Sequence, residues 1–343
     1  MKAAVFEAIG QPLRVTERPA PAPGPRDVII QVNWCGICGS DLHATQPGDL
    51  VVPAGTILGH EFSGTIAAVG EVAAAEWRIG ERVTAVPIQA CGACDGQCRL
   101  GMGIHCPNNT IIGFSPEAQG AYAGAVRVDM GNVLRLPADV DLRMGATAEP
   151  LAVGHHVIDK AAMRPGASVL VLGGGPIGLA CTQFARHYGA RSVLLSDFSV
   201  GRRKIALQMG ADDVIDAGAG DAGAAFEART GRRPDVILEC VGVPGMLHQC
   251  IEAVAPQGKI MVCGVCTQAE SFVPLTALAK EACLQWVLGY TKRDFEIVLE
   301  LMAARRIDPT PMISHEIGLD DLPHRFEALR RPTDECKVLV STA

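Results

Sequence analysis

The sequence lacks the features expected of a nucleic-acid-binding or a membrane-spanning protein. Its 343 residues include 30 Lys and Arg against 37 Asp and Glu, which gives a formal net charge of −7. Because this balance leaves no basic excess to neutralise phosphates, it argues against a nucleic-acid partner. No uninterrupted apolar run is long enough to span a bilayer, and no internal repeat or low-complexity segment is present. What remains is a globular chain whose length predicts about two domains.

A secretory signal is also missing, because Glu7 interrupts the N-terminal segment too early. The 13 cysteines are therefore not expected to form disulfides. An odd number of thiols in a chain without a signal indicates metal binding together with buried packing thiols. We expect the protein in the cytoplasm.

Short apolar runs, separated by Gly and Pro, predict a β-rich, barrel-like first domain. Its predicted strands cover residues 2–8, 27–32, 65–69 and 83–87. From Gly166 onward, strands alternate with helices, which predicts a doubly wound parallel sheet. Strands are predicted there at 168–172, 192–195, 213–215, 235–239 and 259–263, and helices at 176–188, 201–209 and 245–254. A helix at 293–304 and a strand at 337–340 are predicted to follow.

Two separate segments of the first domain carry residues suited to a catalytic zinc. Cys38 and His60 supply one thiolate and one imidazole, which are ligand types that zinc prefers. Ser40 and His43 closely follow the thiolate, as a route for removing a proton requires, and Glu61 can tune the metal from beside the imidazole. Each residue alone has a simpler explanation, since a buried Cys or a single His is commonly structural. The ordered combination favours a metal site with an open position.

A second group of cysteines lies within sixteen residues on a glycine-rich stretch and predicts a closed, structural zinc site. Its members are Cys91, Cys94, Cys98 and Cys106. The alternative, four unrelated buried thiols, is weak because little apolar sequence surrounds them. Cys35 forms a Cys-x-x-Cys pattern with Cys38 but is expected to be a packing thiol. The same is expected of the remaining cysteines, which are Cys181, Cys240, Cys250, Cys263, Cys266, Cys283 and Cys336.

A glycine-rich turn follows the predicted strand at 168–172. Gly173 permits the tight turn, Gly175 lets a pyrophosphate approach the backbone, and Gly178 lets helix pack on strand. The following helix offers its unsatisfied N–H groups to the phosphates. The turn also contains Pro176 and Ile177. This pattern predicts a dinucleotide site.

Asp197 ends the second strand of this unit, where a carboxylate would accept hydrogen bonds from the adenosine ribose. A carboxylate at that place repels a 2′-phosphate, so NAD is favoured over NADP. Arg202 and Arg203 follow closely. They either contact the ribose or pyrophosphate or lie on a solvated helix face.

Together these motifs resemble the zinc-dependent medium-chain alcohol dehydrogenases, whose signature is a Gly-His-Glu-x-x-Gly segment after a Cys-x-x-Asp run. Residues 38–41 and 59–64 match it, and the resemblance extends over essentially the whole chain. It implies an α/β protein with a GroES-like catalytic domain (1–150, completed by 290–343) and a Rossmann NAD-binding domain (151–289). It also implies one catalytic and one structural zinc, and a homodimer or homotetramer assembled through the edge of the dinucleotide-domain sheet.

The resemblance also indicates a third ligand for the catalytic zinc. Residues 147–153 are similar to the Glu-Pro-Leu stretch of the sorbitol, butanediol and threonine dehydrogenase branch, where the glutamate takes this role directly or through water. Glu149 is therefore the expected ligand. Alternatively, Glu149 only stabilises the start of a helix with Pro150 in its first turn. His155 and His156 are rival ligands of lower rank.

The cysteine stretch departs from the family at one point. Family members usually have two residues between the second and third cysteines, whereas three stand here, namely Asp95, Gly96 and Gln97. This insertion leaves the path of the loop, and to a smaller extent its metal occupancy, open.

The implied reaction moves a hydride between a secondary alcohol or vicinal diol and NAD, giving the ketone, while the alcohol proton leaves through Ser40 and then His43. L-Threonine 3-dehydrogenase or sugar-polyol dehydrogenase activity is the alternative, although Gly289 replaces an arginine that polyol-type members carry. Candidate pocket residues are Ile57, Leu58, Phe114 and Trp286. A zinc-free reductase of the superfamily would lack Cys38 and His60, and a purely nucleotide-binding protein would not need an open metal site.

Overall fold

The computed structural model describes residues 1–48, 51–94, 97–98, 103–331 and 333–342. The first part of the chain is built from short strands. They are β1 Lys2–Val5, β2 Arg14–Glu17, β3 Asp27–Gly36, β4 Glu61–Val69, β5 Arg82–Ala85, β6 Ile88–Gln89, β7 Thr110–Ile111, β8 Ala125–Asp129 and β9 Val133–Arg135. β3 is the longest, and it extends past the predicted end at residue 32 because residues 34–36 pair with β4 and with the last strand of the chain.

Three helices accompany these strands: α1 Gly39–His43, α2 Leu142–Ala146 and α3 Ala148–Ala161. The Asp141 side chain caps α2 by accepting a hydrogen bond from the Met144 N–H. Most of α3 is buried, including both of its histidines. This helix carries the chain from the first sheet to the second.

The second part is a six-stranded parallel sheet with helices between its strands, as predicted. Its strands are β10 Ser168–Leu172, β11 Ser192–Asp197, β12 Asp213–Asp216, β13 Val236–Glu239, β14 Lys259–Val262 and β15 Cys283–Trp286. Its helices are α4 Pro176–His187, α5 Val200–Gln208, α6 Ala222–Thr230, α7 Met246–Ala253, α8 Pro274–Ala279 and α9 Lys292–Ala303. The spatial order β12-β11-β10-β13-β14-β15 reverses direction at β10. Ligands bind at such a switch point, beyond the carboxyl ends of the strands.

The last elements are β16 Ile313–Gly318, α10 Leu322–Ala328 and β17 Lys337–Ser341. β17 pairs antiparallel with β3, placing Val340 opposite Cys35. The end of the chain thus joins the first sheet, whose order is β16-β17-β3-β4-β5-β9 with β8 also on β3. This pairing confirms what the family resemblance implied for the C-terminal strand.

The two parts of the molecule are built around different apolar cores. One core lies inside the first sheet and includes Val28, Ile30 and Phe62. Another joins β10 and β11 to α3, α4 and α9, with Phe295 of α9 fully buried in it. Within the described residues, no helix is both long and apolar enough to cross a membrane.

Candidate active site

The pairing of β3 with β4 brings Cys38 and His60 together. Cys38 lies two residues beyond the end of β3, and His60 immediately precedes β4. The strands are antiparallel neighbours with Gly36 opposite Glu61, so both residues emerge at the same end of the pair. Ser40 Oγ lies 3.1 Å from Cys38 Sγ and 3.4 Å from His60 Nε2. The thiol, the imidazole and the hydroxyl therefore share one small space.

Asp41 orients the imidazole. Its side chain is fully buried, and Oδ1 lies 3.2 Å from His60 Nδ1. Oδ2 accepts hydrogen bonds from the Tyr122 hydroxyl at 2.6 Å and from the Cys38 N–H at 3.2 Å. Burial lowers the pKa of His60, but Asp41 and Cys38 outweigh it and hold that pKa well above its usual range. Asp41 thus leaves His60 Nε2 free to face the thiol.

Sequence reasoning missed this role of Asp41. Asp41 belongs to the Cys-x-x-Asp run that carries the resemblance, whereas the carboxylate predicted to tune the metal is that of Glu61, beside the imidazole. The structure gives Glu61 a different partner. Both of its carboxylate oxygens accept hydrogen bonds from Lys337 Nζ, at 2.7 and 2.6 Å. Lys337 is fully buried and also donates to the Ile37 carbonyl at 3.0 Å.

The donor atoms suit zinc. The ligand atoms of Cys38, His60 and Glu61 all lie within 4.8 Å of one another, which gives one sulfur, one nitrogen and one oxygen donor. Glu149 is outside that group. It stands in the first turn of α3, and burial raises its pKa to about 7 while nearby His60 acts in the opposite direction. Glu149 is thus close enough to His60 to interact with it electrostatically, but its carboxylate does not belong to the group whose ligand atoms all lie within 4.8 Å of one another.

Tyr290 is a further residue that sequence reasoning did not assign to the site. Its side chain is buried near the Glu149 carboxylate. Burial and Glu149 together raise the pKa of Tyr290 well above its usual range. No local pattern could have found this contact, because the two residues lie far apart in the chain.

The remaining candidates lie at different distances from this centre. His43 ends α1 and is exposed, and its side chain makes no hydrogen bond within the described residues. His155 and His156 bind Asp294 through their Nδ1 atoms. Phe114 packs its ring 5.2 Å from that of His60, whereas Trp286 is 64% exposed on β15. Ile57 and Leu58 are buried.

The four thiols of the cysteine stretch converge, with all Sγ atoms within 4.8 Å of one another. The shortest separation is 3.4 Å, between Cys106 and Cys91. The Ala93 N–H and the neighbouring thiols lower the pKa of Cys91 to about 6, which favours the thiolate that a metal requires. Of the inserted residues, Asp95 and Gly96 lie outside the described part of the chain. Four sulfur donors of this kind fit a closed zinc site.

The dinucleotide turn has the expected shape. Gly173 adopts a positive φ of 96°, and a Cβ at Gly178 would collide with the Gly173 carbonyl. A Cβ at Gly175 would meet no atom within 4 Å, so space for a ligand remains above the backbone. α4 begins directly afterwards, with Pro176 and Ile177 as its first residues.

Asp197 ends β11 and belongs to this turn. Its carboxylate accepts hydrogen bonds at 2.7 Å from both the Gly174 and the Ser199 N–H. Arg202 donates through Nε to the Glu335 carbonyl, whereas Arg203 binds carbonyls at the end of β11 and Asp216. The Arg203 guanidinium is therefore already bound to groups of the protein itself. The Asp197 carboxylate is held at the edge of the turn by its two backbone donors.

Three further cysteines lie closer together in space than their positions in the sequence suggest. Cys181 of α4, Cys240 after β13 and Cys263 after β14 interact through their thiols. Their spacing in the sequence gives no hint of this, because the parallel pairing of β13 with β14 creates it. Their role as packing thiols stays a prediction.

Comparison with known proteins agrees with this geometry. Residues 24–138 match the alcohol dehydrogenase GroES-like domain, and residues 176–304 match the zinc-binding dehydrogenase family. The chain is 30% identical to sorbitol dehydrogenase from Gallus gallus, over 93% of this chain and 90% of that protein. It is 31% identical to (R,R)-butanediol dehydrogenase from Bacillus subtilis, over 96% of each.

Solved structures agree as well. The crystal structure of 2R,3R-butanediol dehydrogenase from Bacillus subtilis superposes with a TM-score of 0.89 at 30% identity, covering 99% of both chains. A zinc-binding dehydrogenase from Sinorhizobium meliloti 1021, bound to NADP, gives a TM-score of 0.90 at 32% identity over 99% of this chain and 98% of that one. With both halves of the chain matched, the chain belongs to the zinc-dependent medium-chain alcohol dehydrogenase family and is an oxidoreductase.

Proposed function

We propose that this dehydrogenase oxidises a secondary alcohol or a vicinal diol to the ketone at the centre formed around Cys38 and His60. The observation that carries the proposal is the convergence of Cys38 Sγ, His60 Nε2 and the Ser40 hydroxyl beside buried carboxylates. Relatives that act on sorbitol, idonate and butanediol support the substrate class. The cofactors are zinc and NAD.

When bound, zinc supplies a Lewis acid that acidifies an alcohol hydroxyl, and NAD supplies the hydride acceptor. Cys38 and His60 would hold the metal, and Asp41 keeps the imidazole in place for it. The Ser40 hydroxyl is placed to receive the alcohol proton. We propose His43 as the next group, because residues three apart on a helix lie on one face, and its exposed ring can pass the proton to water.

The third ligand has two candidates, and we propose Glu149, acting directly or through water. Glu61 has a carboxylate oxygen within 4.8 Å of the ligand atoms of Cys38 and His60, but both of its oxygens are engaged by Lys337. Titration of zinc into Glu149→Gln and Glu61→Gln separates the two. We expect the larger loss of zinc affinity in Glu149→Gln, and a larger loss in Glu61→Gln would transfer the role to Glu61.

The other sites follow the same family plan. We propose that the four cysteines of the 91–106 stretch hold a structural zinc. Gly173, Gly175 and Gly178 would cradle the NAD pyrophosphate, and Asp197 would bind the adenosine ribose while Arg202 lies beside it. The carboxylate at the ribose favours NAD over NADP, which a direct comparison of the two cofactors tests.

We propose that residues 1–150 with 290–343 form the catalytic part and residues 151–289 the NAD-binding part. The packing of α9 in the core of the parallel sheet favours extending the NAD-binding part to Ala303. Exposed apolar side chains lie on α8 and at the end of the edge strand β15, and they support a homodimer or homotetramer formed at that edge. They are Leu275, Leu278, Trp286 and Leu288. A cytoplasmic location fits cysteines that are all free.

The deciding experiment measures NADH formation by the zinc-loaded protein on secondary alcohols, vicinal diols, sugar polyols and threonine. We expect the highest kcat/KM on a small diol, because Gly289 offers no guanidinium to a polyol chain. Preference for sorbitol-like polyols would favour the activity of the sorbitol dehydrogenase relatives instead. No turnover on any of these substrates would contradict the proposal.

A further inference from the structure

The amino terminus of α5 is occupied by a carboxylate from a distant part of the chain. Asp334 lies in the segment between α10 and β17, 135 positions after Ser199. Its Oδ1 atom accepts hydrogen bonds from the Ser199 hydroxyl at 2.5 Å and from the Gly201 N–H at 3.4 Å. Helix amino termini favour anions, because their first N–H groups have no partner within the helix. Asp334 therefore fills an anion-binding position with a charge of the protein itself.

The segment that carries Asp334 packs directly on α5. A Cβ at Gly201 would lie 2.7 Å from the Cβ of Asp334, so the lack of a side chain at residue 201 permits this close approach. Arg202 Nε donates to the Glu335 carbonyl at 3.0 Å, which holds the next residue of the segment as well. The hydrogen bonds from Ser199 and Gly201 lower the pKa of Asp334, so its carboxylate is ionised at neutral pH. The segment thus places a fixed negative charge at the start of α5.

This charge stands beside the proposed ribose site. Asp197 Oδ1 accepts a hydrogen bond from the Ser199 N–H at 2.7 Å, and the hydroxyl of the same serine donates to Asp334. Ser199 therefore joins the two carboxylates. A phosphate on the 2′-hydroxyl of a ribose at Asp197 would need N–H, hydroxyl or cationic partners nearby. Ser199, Gly201 and Arg202 offer groups of this kind, and all three are already bound to the segment of Asp334.

We propose that Asp334 is a specificity-determining residue that excludes NADP. It occupies the donors of Ser199 and Gly201 that a 2′-phosphate would use, and its negative charge repels that phosphate. NAD carries a hydroxyl at this position and meets neither obstacle. The carboxylate of Asp197 is thus joined by a second one, which the C-terminal segment supplies. This inference rests on the proposed binding of the adenosine ribose at Asp197.

The simpler explanation is that Asp334 only ties the C-terminal segment to α5. Asp334→Asn separates the two roles, because asparagine keeps an oxygen that can accept the hydrogen bond from Ser199 but carries no charge. The chain also offers a matched control. Asp221 is a carboxylate at the start of the neighbouring helix α6, where it accepts a hydrogen bond from the Ala224 N–H at 2.6 Å. Asp221→Asn therefore makes the same chemical change at another helix amino terminus.

The test measures binding of 5′-AMP and 2′,5′-ADP to the zinc-loaded protein by isothermal titration calorimetry. These two nucleotides differ only in the 2′-phosphate, and the measurement does not depend on turnover. We expect Asp334→Asn to bind 2′,5′-ADP about tenfold more tightly than the unaltered protein, the value of one charge-assisted hydrogen bond. Its affinity for 5′-AMP should stay the same. Asp221→Asn should leave both affinities unchanged.

A double variant tests whether the phosphate takes the donor that Asp334 vacates. Ser199→Gly removes the hydroxyl, and glycine is still tolerated at the N-cap position of α5. Combined with Asp334→Asn, it should remove most of the gain in 2′,5′-ADP affinity. A gain that persists undiminished in the double variant would contradict the exchange of partners at Ser199.

Two further results would overturn the proposal. If Asp334→Asn leaves the affinity for 2′,5′-ADP unchanged and only lowers thermal stability, Asp334 is a structural tie. If it tightens both nucleotides equally, the charge acts on the whole site and not on the 2′-phosphate.

Asp197→Asn separates this inference from the proposed function. If that variant binds 5′-AMP as tightly as the unaltered protein, the placement of the ribose at Asp197 fails, and the role of Asp334 fails with it. If Asp197→Asn weakens 5′-AMP binding while Asp334→Asn leaves the discrimination between the two nucleotides unchanged, only the role of Asp334 fails.

Discussion

The four-cysteine site and the centre around Cys38 are both suited to zinc, but the chain builds them in different ways. In the first, every donor is a thiol, and all four lie in one stretch of sixteen residues. In the second, the donors and their supports come from the end of β3, the start of β4, the start of α3 and the final strand β17. The first site depends on local spacing, and the second depends on the packing of both sheets.

This difference has an energetic consequence. Buried charges are costly unless they are paired, and the centre around Cys38 includes two such pairs. Asp41 faces His60, and Lys337 faces Glu61 at 0% and 1% side-chain exposure. The four-cysteine site is more open, with Cys91 exposed. We therefore expect loss of a ligand at the centre around Cys38 to abolish activity, and loss of a ligand at the four-cysteine site to lower stability.

The largest expected effect is on turnover. Cys38→Ala removes the thiolate that the assembled centre offers to zinc, so NADH formation should fall below detection while NAD binding persists. Cys35→Ala, at a buried thiol three residues earlier, is the matched control and should retain activity. Steady-state assays and NAD titration check both variants, and turnover by Cys38→Ala would remove the residue from the centre.

The next effect concerns stability. Lys337→Met leaves the Glu61 carboxylate buried without a partner, and we expect the free energy of unfolding of the zinc-free protein to fall by about 3–5 kcal/mol. Lys259→Met is the control, because the Lys259 ammonium donates to a neutral group, the Ala161 carbonyl, and the loss of this hydrogen bond should cost about 1 kcal/mol. Urea unfolding measures both values. Equal losses of unfolding free energy in the two variants would mean that the ion pair between Lys337 and Glu61 contributes no more to stability than the hydrogen bond of Lys259.

A substitution in the four-cysteine site should lower thermal stability but preserve turnover, which is the reverse of the effect expected for Cys38→Ala. Cys94→Ser removes one of four ligands, so one equivalent of zinc should be lost and the thermal transition should fall, because structural metal binding contributes to folding. Turnover well below that transition should persist. Metal analysis together with differential scanning fluorimetry checks this, and loss of the catalytic zinc as well would show that the two sites are coupled.

The smallest effect is on cofactor choice. Asp197→Asn removes the charge at the ribose edge, and we expect the preference for NAD over NADP to fall about tenfold, the value of one charge-assisted hydrogen bond. Asp216→Asn is the control, since Asp216 ends the neighbouring strand β12 and pairs with Arg203. The ratio of kcat/KM values for the two cofactors is the measurement. An unchanged ratio in Asp197→Asn would place the selectivity elsewhere.

Local patterns predicted much of the parallel sheet. The strand at 168–172 coincides with β10, and the predicted helices at 176–188 and 201–209 differ from α4 and α5 by one residue at their ends. These elements could be predicted because their sequence signals, apolar runs and glycine turns, lie within a few neighbouring residues. The strands of the first part of the chain were predicted less completely, because β6, β7, β8 and β9 carry weak patterns and depend on pairing with other segments.

For the sites, the sequence alone determined which residue types could bind zinc and a dinucleotide, because motif spacing and ligand chemistry are local properties. The cysteines from 91 to 106 and the turn from Gly173 to Gly178 needed no knowledge of the fold. Only the tertiary structure decided that Asp41, and not Glu61, orients His60, and that Lys337 and Tyr290 face the two carboxylates. These contacts join residues up to 276 positions apart. The contacts of Lys337 and Tyr290 exist because β17 pairs with β3 and α9 packs on α3. No pattern within these separate segments predicts that they come together.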